Sequence, residues 1–271
     1  MRAEEVIIFS DMDGTLLSDW SFGPYVPETN LEAIRRFISE GGLFSIASGR
    51  QFRETLDFFG GMKFPVPMVQ DNGSVIYDSV RGEVLEKIAL PEDVKLECLD
   101  YSKRNKGVWL IAADEHNLYQ VISDDASGDT LLKDLPRKPI TEEQYLSLEL
   151  VKACFVIVNE SELPSVASDL MKFKSADEFI LMQSSPVFLE VLDKSAGKAA
   201  AIKKAVRLAN AGRRKLICIG DYDNDCGMLE LADISACPVN SSPRVLEMAK
   251  IVTCSNNEGA IADLINRLDK L

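Results

Sequence analysis

Val6-Ile7-Ile8-Phe9-Ser10-Asp11-Met12-Asp13-Gly14-Thr15 is the stretch on which the fold turns. Four apolar residues run together without alternation, the pattern of a strand buried on both faces, as in a parallel sheet. The run ends abruptly on two carboxylates separated by one residue, then a glycine. Downstream, a helix is predicted over 31–40, with Leu31, Ile34, Phe37 and Ile38 on one face and Gly41-Gly42 as its stop. A second strand over 43–47 ends at Ser48-Gly49-Arg50. A helix presenting Phe52, Leu56 and Phe59 leads to Gly60-Gly61. A third apolar run, 66–69, reaches Asp71-Asn72-Gly73, and Val75-Ile76-Tyr77 follows the Asn-Gly turn. This β-α-β-α-β rhythm implies a parallel sheet with helices on its faces.

The middle of the chain has a different rhythm. A helix is expected near 91–104, strands over 108–112, 118–122, 152–158, 179–183 and 187–192, and a helix near 162–173. Hairpins with a few helices describe a mixed α+β module, and 124–138 reads as a polar loop. The first rhythm then returns. A helix over 197–211 precedes the strand Leu216-Ile217-Cys218-Ile219, which ends at Gly220-Asp221. A short helix to Leu231, a strand over 234–237, a helix capped by Ser242 with Pro243 at its first position, a strand over 251–253 and an amphipathic C-terminal helix complete the chain. The expected architecture is α/β: a parallel-sheet core, 1–83 and 189–271, carrying an inserted α+β domain over 84–188.

Composition narrows the function classes. The 271 residues are 46% hydrophobic, enough for a well-formed core. A formal net charge of −13 would repel a nucleic-acid backbone, so no nucleic-acid partner is expected. Neither a bilayer-spanning run nor a signal-peptide core is present, which points to a cytoplasmic protein without a membrane partner. The six cysteines form no C-x-x-C pair and read as reduced, buried thiols. The single histidine, His116, lies in a turn-like Asp114-Glu115-His116-Asn117, which argues against multi-histidine zinc sites and a Ser-His-Asp triad.

Four polar clusters fall where ligands bind in such sheets, beyond the carboxyl ends of the strands. They are Asp11-x-Asp13-Gly14-Thr15, Ser48-Gly49-Arg50, Gly197-Lys198 and Gly220-Asp221-Tyr222-Asp223-Asn224-Asp225. Asp11, Asp13, Asp221 and Asp225 would repel one another if gathered alone. A hard divalent cation resolves this, and Mg²⁺ fits best because it accepts carboxylates, waters and a phosphate oxygen together. Lys198 supplies positive charge for the same phosphate, Ser48 a hydroxyl donor, and Gly49 a backbone that can approach closely. A lysine at a helix start is unfavourable near the positive end of the dipole unless an anion also sits there. Asp221-x-Asp223-x-Asp225 also matches the start of a calcium loop, but Cys226 and Ala232 stand where glycine and glutamate are needed. The set describes a phosphoryl site.

Asp11-Met12-Asp13-Gly14-Thr15-Leu16, Ser48-Gly49-Arg50, Asn72-Gly73, Lys198, and Gly220 to Asp225 with Met228-Leu229 together resemble the haloacid-dehalogenase-like superfamily, specifically its Cof-like phosphatases. The resemblance implies a Rossmann-like core with a mixed α+β cap of type C2 as the insert. It implies that Asp11 is the nucleophile and that Asp13 is acid and base. It also implies that Mg²⁺ is held by Asp11, the Asp13 carbonyl and Asp221 with support from Asp225, and that Ser48, Gly49, Lys198 and Asn224 bind the phosphoryl group. Two departures stand out. Lys198 is followed by Ala199 in place of the family's usual glycine, with Lys194 as the alternative lysine, and Val239-Asn240-Ser241 replaces a Gly-Asn-Ala segment. The expected activity is Mg²⁺-dependent hydrolysis of a small phosphorylated metabolite through an aspartyl-phosphate. A phosphotransferase or mutase on the same scaffold is the alternative, and a non-catalytic metabolite-binding relative the third reading. The 124–138 loop and the turn around His116 are candidate substrate contacts.

Overall fold

The computed structural model describes residues 1–19, 23–123, 132 and 136–271. Most of the 124–138 loop expected to contact substrate therefore lies outside the described residues.

In chain order the first elements are β1 (Val6–Ser10), α1 (Glu28–Ser39), β2 (Leu43–Ile46), α2 (Phe52–Asp57), β3 (Met68–Gln70), β4 (Val75–Asp78) and β5 (Glu83–Lys87). The chain continues with α3 (Glu92–Arg104), β6 (Val108–Ala113), β7 (Leu118–Val121), β8 (Lys138–Ile140), α4 (Glu142–Ser147), β9 (Lys152–Ile157), α5 (Leu163–Leu170), β10 (Phe179–Ser185) and β11 (Phe188–Asp193). The chain closes with α6 (Lys198–Leu208), β12 (Lys215–Ile219), α7 (Cys226–Leu231), β13 (Ile234–Pro238), α8 (Pro243–Met248), β14 (Ile251–Thr253) and α9 (Ala260–Asn266). These elements form two compact units, Met1–Glu86 with Gly197–Leu271, and Lys87–Ala196.

The first unit is built on a five-stranded sheet in the order β14-β13-β12-β1-β2, parallel throughout. All of β1 is buried, which is why its sequence shows no alternation. Val6 and Ile8 pack on one face with α1 (Ile34, Phe37) and α9 (Ile261, Leu264). Ile7 and Phe9 pack on the other with α6 (Ala201, Ile202), α7 (Met228) and α8 (Val245). Each such fully buried side chain contributes about 1.5–3 kcal/mol relative to exposure. A parallel bridge from Ala47 to Val69 continues the edge toward β3, which pairs in turn with β4 and then β5.

The second unit carries a six-stranded sheet in the order β10-β11-β9-β6-β7-β8. Its pairs are antiparallel except β7 with β8. One sheet face packs on α3, α4 and α5 through Val94, Cys98, Tyr145, Val166 and Leu170. His116 is exposed in the β6–β7 hairpin, where its N–H donates to Asp114 Oδ1 at 2.7 Å. All six cysteines are free thiols, five of them buried.

The α/β fold class expected from the chain's rhythm is the one observed, with local differences. The helix expected over 31–40 starts at Glu28, directly after Pro27, whose backbone angles suit the entry to a helix. The strand expected over 66–69 begins only at Met68, because Pro67 brings no N–H to a ladder. The 197–211 helix stops at Leu208, and Asn210 turns the chain left-handed at φ 52°. Strands β5 and β8 and helix α4 were not anticipated, and β8 begins at Lys138, inside the stretch read as loop. No helix among the described residues is long and apolar enough to cross a membrane.

Candidate active site

Parallel register brings the polar clusters together. Ser10 lies beside Ile46 on one side and Ile219 on the other, so the loops leaving β1, β2 and β12 emerge at one edge. Asp11 is pinned there by its own N–H, which donates to the Ile219 carbonyl at 2.9 Å. Gly14 takes φ 74°, and a side chain on it would collide with the Asp221 carboxylate. The loop can pass Asp221 this closely only with glycine.

At the centre is Lys198, the first residue of α6, with its side chain 1% exposed. Its Nζ donates to Asp11 Oδ1 and to Asp225 Oδ1, both at 2.6 Å. Burial works against the ammonium, but Asp11 and Asp225 outweigh it and hold Lys198 above its ordinary range. Asp225 Oδ2 accepts from the Asp221 and Tyr222 N–H groups at 3.0 and 3.3 Å. Asp225 thus uses both oxygens to brace lysine and loop. Asp221 Oδ1 accepts from the Thr15 hydroxyl at 3.0 Å, tying the β1 and β12 loops directly. Lys194, the alternative lysine, is exposed and belongs to the second unit.

Carboxylate oxygens of Asp11, Asp221 and Asp225 lie within 4.8 Å of one another. Among the described residues the ammonium paired with these three carboxylates is that of Lys198, which bonds Asp11 and Asp225 but not Asp221. Burial, then repulsion from Asp225, pushes Asp11 well above the usual carboxylate range despite Lys198. The same two causes push Asp221 up to about 7. A cluster of oxygen donors short of positive charge fits a hard divalent cation.

Asp13 is placed differently from the other three. Its carboxylate turns to Arg50, which donates from Nε at 2.8 Å and from Nη2 at 2.7 Å in a bidentate clamp. Arg50 lies over the Phe58 ring at 5.3 Å, so the clamp is itself held. Ser48 is fully buried, and its hydroxyl oxygen accepts from the Arg50 N–H at 3.1 Å. Gly49 abuts the Asn72 side chain, and Asn224 donates to Asn72 Oδ1 at 3.3 Å. Asn240 donates to the Gly14 carbonyl at 2.8 Å and accepts from the Asn256 N–H at 3.0 Å, bracing the Asp11 loop from behind.

The structure therefore gathers the side chains of Asp11, Lys198, Asp221 and Asp225 into one cluster. It sets Ser48, Gly49 and Asn224 around the buried Asn72, and leaves the Asp13 side chain clamped by Arg50. Reading the sequence passed over Arg50, Thr15, Asn72 and Asn240 as partners. All four lie within or beside the polar motifs, but nothing in a linear pattern tells which side chain a neighbouring residue meets.

The profile of the haloacid dehalogenase-like hydrolases matches residues 8–265. The chain is 24% identical to YitU of Bacillus subtilis, a 5-amino-6-(5-phospho-D-ribitylamino)uracil phosphatase, over 97% of both chains. Among solved structures it resembles TM0651 from Thermotoga maritima, with a TM-score of 0.80 at 23% identity over 97% of both chains. It also resembles the subclass IIB sugar phosphatase BT4131, with a TM-score of 0.78 at 21% identity over 98% of this chain and 100% of that one. A family match that begins inside β1 and ends inside α9 takes in both units and every residue of the carboxylate–lysine cluster, and the protein belongs to the haloacid dehalogenase-like hydrolases.

Proposed function

We propose that this protein is a Mg²⁺-dependent phosphomonoesterase of a small phosphorylated metabolite, acting through an aspartyl-phosphate on Asp11. The observation that carries the reading is Lys198, buried between Asp11 and Asp225 beside Asp221. Such a site has charge to steady a phosphoryl group and a carboxylate placed to attack it.

In this reading an Asp11 oxygen attacks phosphorus as the bond to the leaving oxygen breaks, and Asp13 protonates that oxygen. Water then attacks the phosphorus of the Asp11 acyl phosphate as the bond from the Asp11 oxygen to phosphorus breaks, Asp13 takes the water's proton, and the Asp11 carboxylate returns with free phosphate. Both steps require Asp13 to leave the Arg50 clamp, since a carboxylate held by both forks of a guanidinium is directed at that partner. Ser48, the Gly49 backbone, Lys198 and Asn224 hold the phosphoryl oxygens. Asp11, the Asp13 carbonyl and Asp221, with Asp225 behind them, would hold Mg²⁺, whose charge would polarise the phosphoryl oxygens when bound.

A sugar phosphatase and a phosphoribitylaminouracil phosphatase among the relatives support a sugar- or nucleotide-like metabolite. The insert over 84–188 is proposed as the cap that selects it. The charge of −13 suits such a substrate better than nucleic acid, and the reading places the protein in the cytoplasm without a membrane partner. A panel of phosphorylated sugars and nucleotides, assayed for free phosphate with Mg²⁺ and with chelator, tests it. Chelator-sensitive release on some members is expected. Phosphate conserved on a second sugar would instead show a phosphotransferase, and binding without turnover a non-catalytic relative.

A further inference from the structure

The turn Asp71-Asn72-Gly73 has an unusual backbone. Its three residues take φ of 47°, 53° and 99°, in the left-handed region that ordinary side chains avoid. Among the described residues only one other non-glycine residue, Asn210, has positive φ. All three residues of the turn are buried. Backbone of this kind persists where the surroundings over-determine it, commonly at functional sites.

Here the surroundings are the phosphoryl-binding loops. The Asn72 N–H donates to the Ser48 carbonyl at 3.0 Å, and the Asp71 N–H to the Arg50 carbonyl at 3.1 Å, so the turn grips the loop on both sides of Gly49. A side chain on Gly49 would come within 2.9 Å of Asn72 Nδ2, so the Asn72 amide lies flat against that glycine. The same amide accepts from Asn224 through Oδ1. Gly73 in turn sits so close to the backbone of Gly197 that no side chain fits between them, and Gly197 is the residue before Lys198. One strained turn thus touches three separate loops, each carrying a group assigned to the phosphoryl oxygens.

We infer that the Asp71-Asn72-Gly73 turn sets the register of the phosphoryl-binding groups, with Asn72 as a positioning residue that holds Asn224 and the Ser48-Gly49 loop against each other. Asn72 is fully buried. It acts through Asn224 and Gly49, while Gly73 seats the start of α6 and so Lys198. The inference rests on the phosphoryl-transfer reading for its kinetic consequence, and on the contacts alone for its structural one.

The test is Asn72→Gly, which removes the side chain yet keeps a residue at ease with positive φ. With a chromogenic aryl phosphate and Mg²⁺, kcat should fall about 10- to 100-fold, the scale of a misplacement near 1 Å, with a smaller change in KM and an unchanged fold by circular dichroism. In a cycle with Asn224→Ala, the combined loss should be smaller than the product of the single losses. Wild-type kcat in Asn72→Gly, or losses that multiply in the double variant, would overturn the positioning role. A crystal structure of Asn72→Gly decides the structural half whatever the activity. A displaced Asn224 amide supports the inference, and an Asn224 amide that stays in place refutes it. Absence of turnover in the wild type would count against the phosphatase reading instead, leaving the structural arm to judge this one.

Discussion

Without a cation, burial and then repulsion from Asp225 push Asp221 up to about 7, although the Thr15 hydroxyl and Lys198 pull the other way. In the unfolded chain the same carboxyl returns to about 3.8. Between these values the folded protein binds a proton that the unfolded chain does not. This group's contribution to stability is therefore full below pH ~4 and is lost as pH rises through about 7. The separation corresponds to about 4 kcal/mol at its limit, and roughly 2–4 kcal/mol once relaxation of the site is allowed for. About two thirds of that separation lies above pH 5, so at about 2–4 °C per kcal/mol for a chain of this size the metal-free protein loses on the order of 3–10 °C in melting temperature between about pH 5 and pH 8. On the proposed function Mg²⁺ held by Asp221 would compete with that proton, so it should raise the melting temperature strongly at about pH 8 and little at about pH 5. Scanning calorimetry with Mg²⁺ and with chelator at both pH values measures this, and the difference at each pH cancels titrations elsewhere in the chain. An equal Mg²⁺ shift at both pH values would refute the reasoning, as would a full shift retained in Asp221→Asn.

Other perturbations separate the parts of the site. Lys198→Met leaves Asp11 and Asp225 buried without their counter-charge, so denaturant titration should show a loss of about 3–5 kcal/mol and kinetics at least a 100-fold drop in kcat. Arg50→Lys keeps the charge but not the two-pronged grip that Asp13 must leave, and should raise kcat/KM by up to about tenfold in steady-state assays with unchanged melting. Equal kinetics there would show that the clamp has no part in turnover. In the insert, Lys95 is 1% exposed and donates to Glu92 Oε1 and to the Leu146 and Leu148 carbonyls at 2.9, 2.9 and 2.7 Å. Lys95→Met strands those acceptors and should cost about 2–4 kcal/mol in chemical denaturation, with kcat unchanged in the folded protein.

Much of the core was legible because its signals are one-dimensional. The uninterrupted Val6-Ile7-Ile8-Phe9 run follows from burial on both sheet faces, and the glycine stops after α1 and α2 are local. The carboxylate clusters could be placed at one sheet edge because strand ends carry them there by topology. Strand β5 escaped notice because three of its five residues, Glu83, Glu86 and Lys87, are charged. Helix α4 buries only Tyr145, too little for a periodic signal, although its Thr141–Gln144 capping box was readable. Within the site, the pattern could name Asp13 but not show its carboxylate locked onto Arg50. It could read Asn72-Gly73 as a tight turn but not reveal that the turn reaches Ser48, Gly197 and Asn224 at once. Those facts depend on contacts between residues as far apart in sequence as 152 positions.

The central claim is that Asp11 carries the phosphoryl group in turnover. Rapid acid quench during turnover of a phosphorylated substrate with Mg²⁺, followed by peptide mass spectrometry, tests it directly. A phosphoryl adduct on Asp11 in the wild type, absent from Asp11→Asn together with turnover, is the predicted result. Full Mg²⁺-dependent turnover by Asp11→Asn, or an adduct on any other residue, would contradict it.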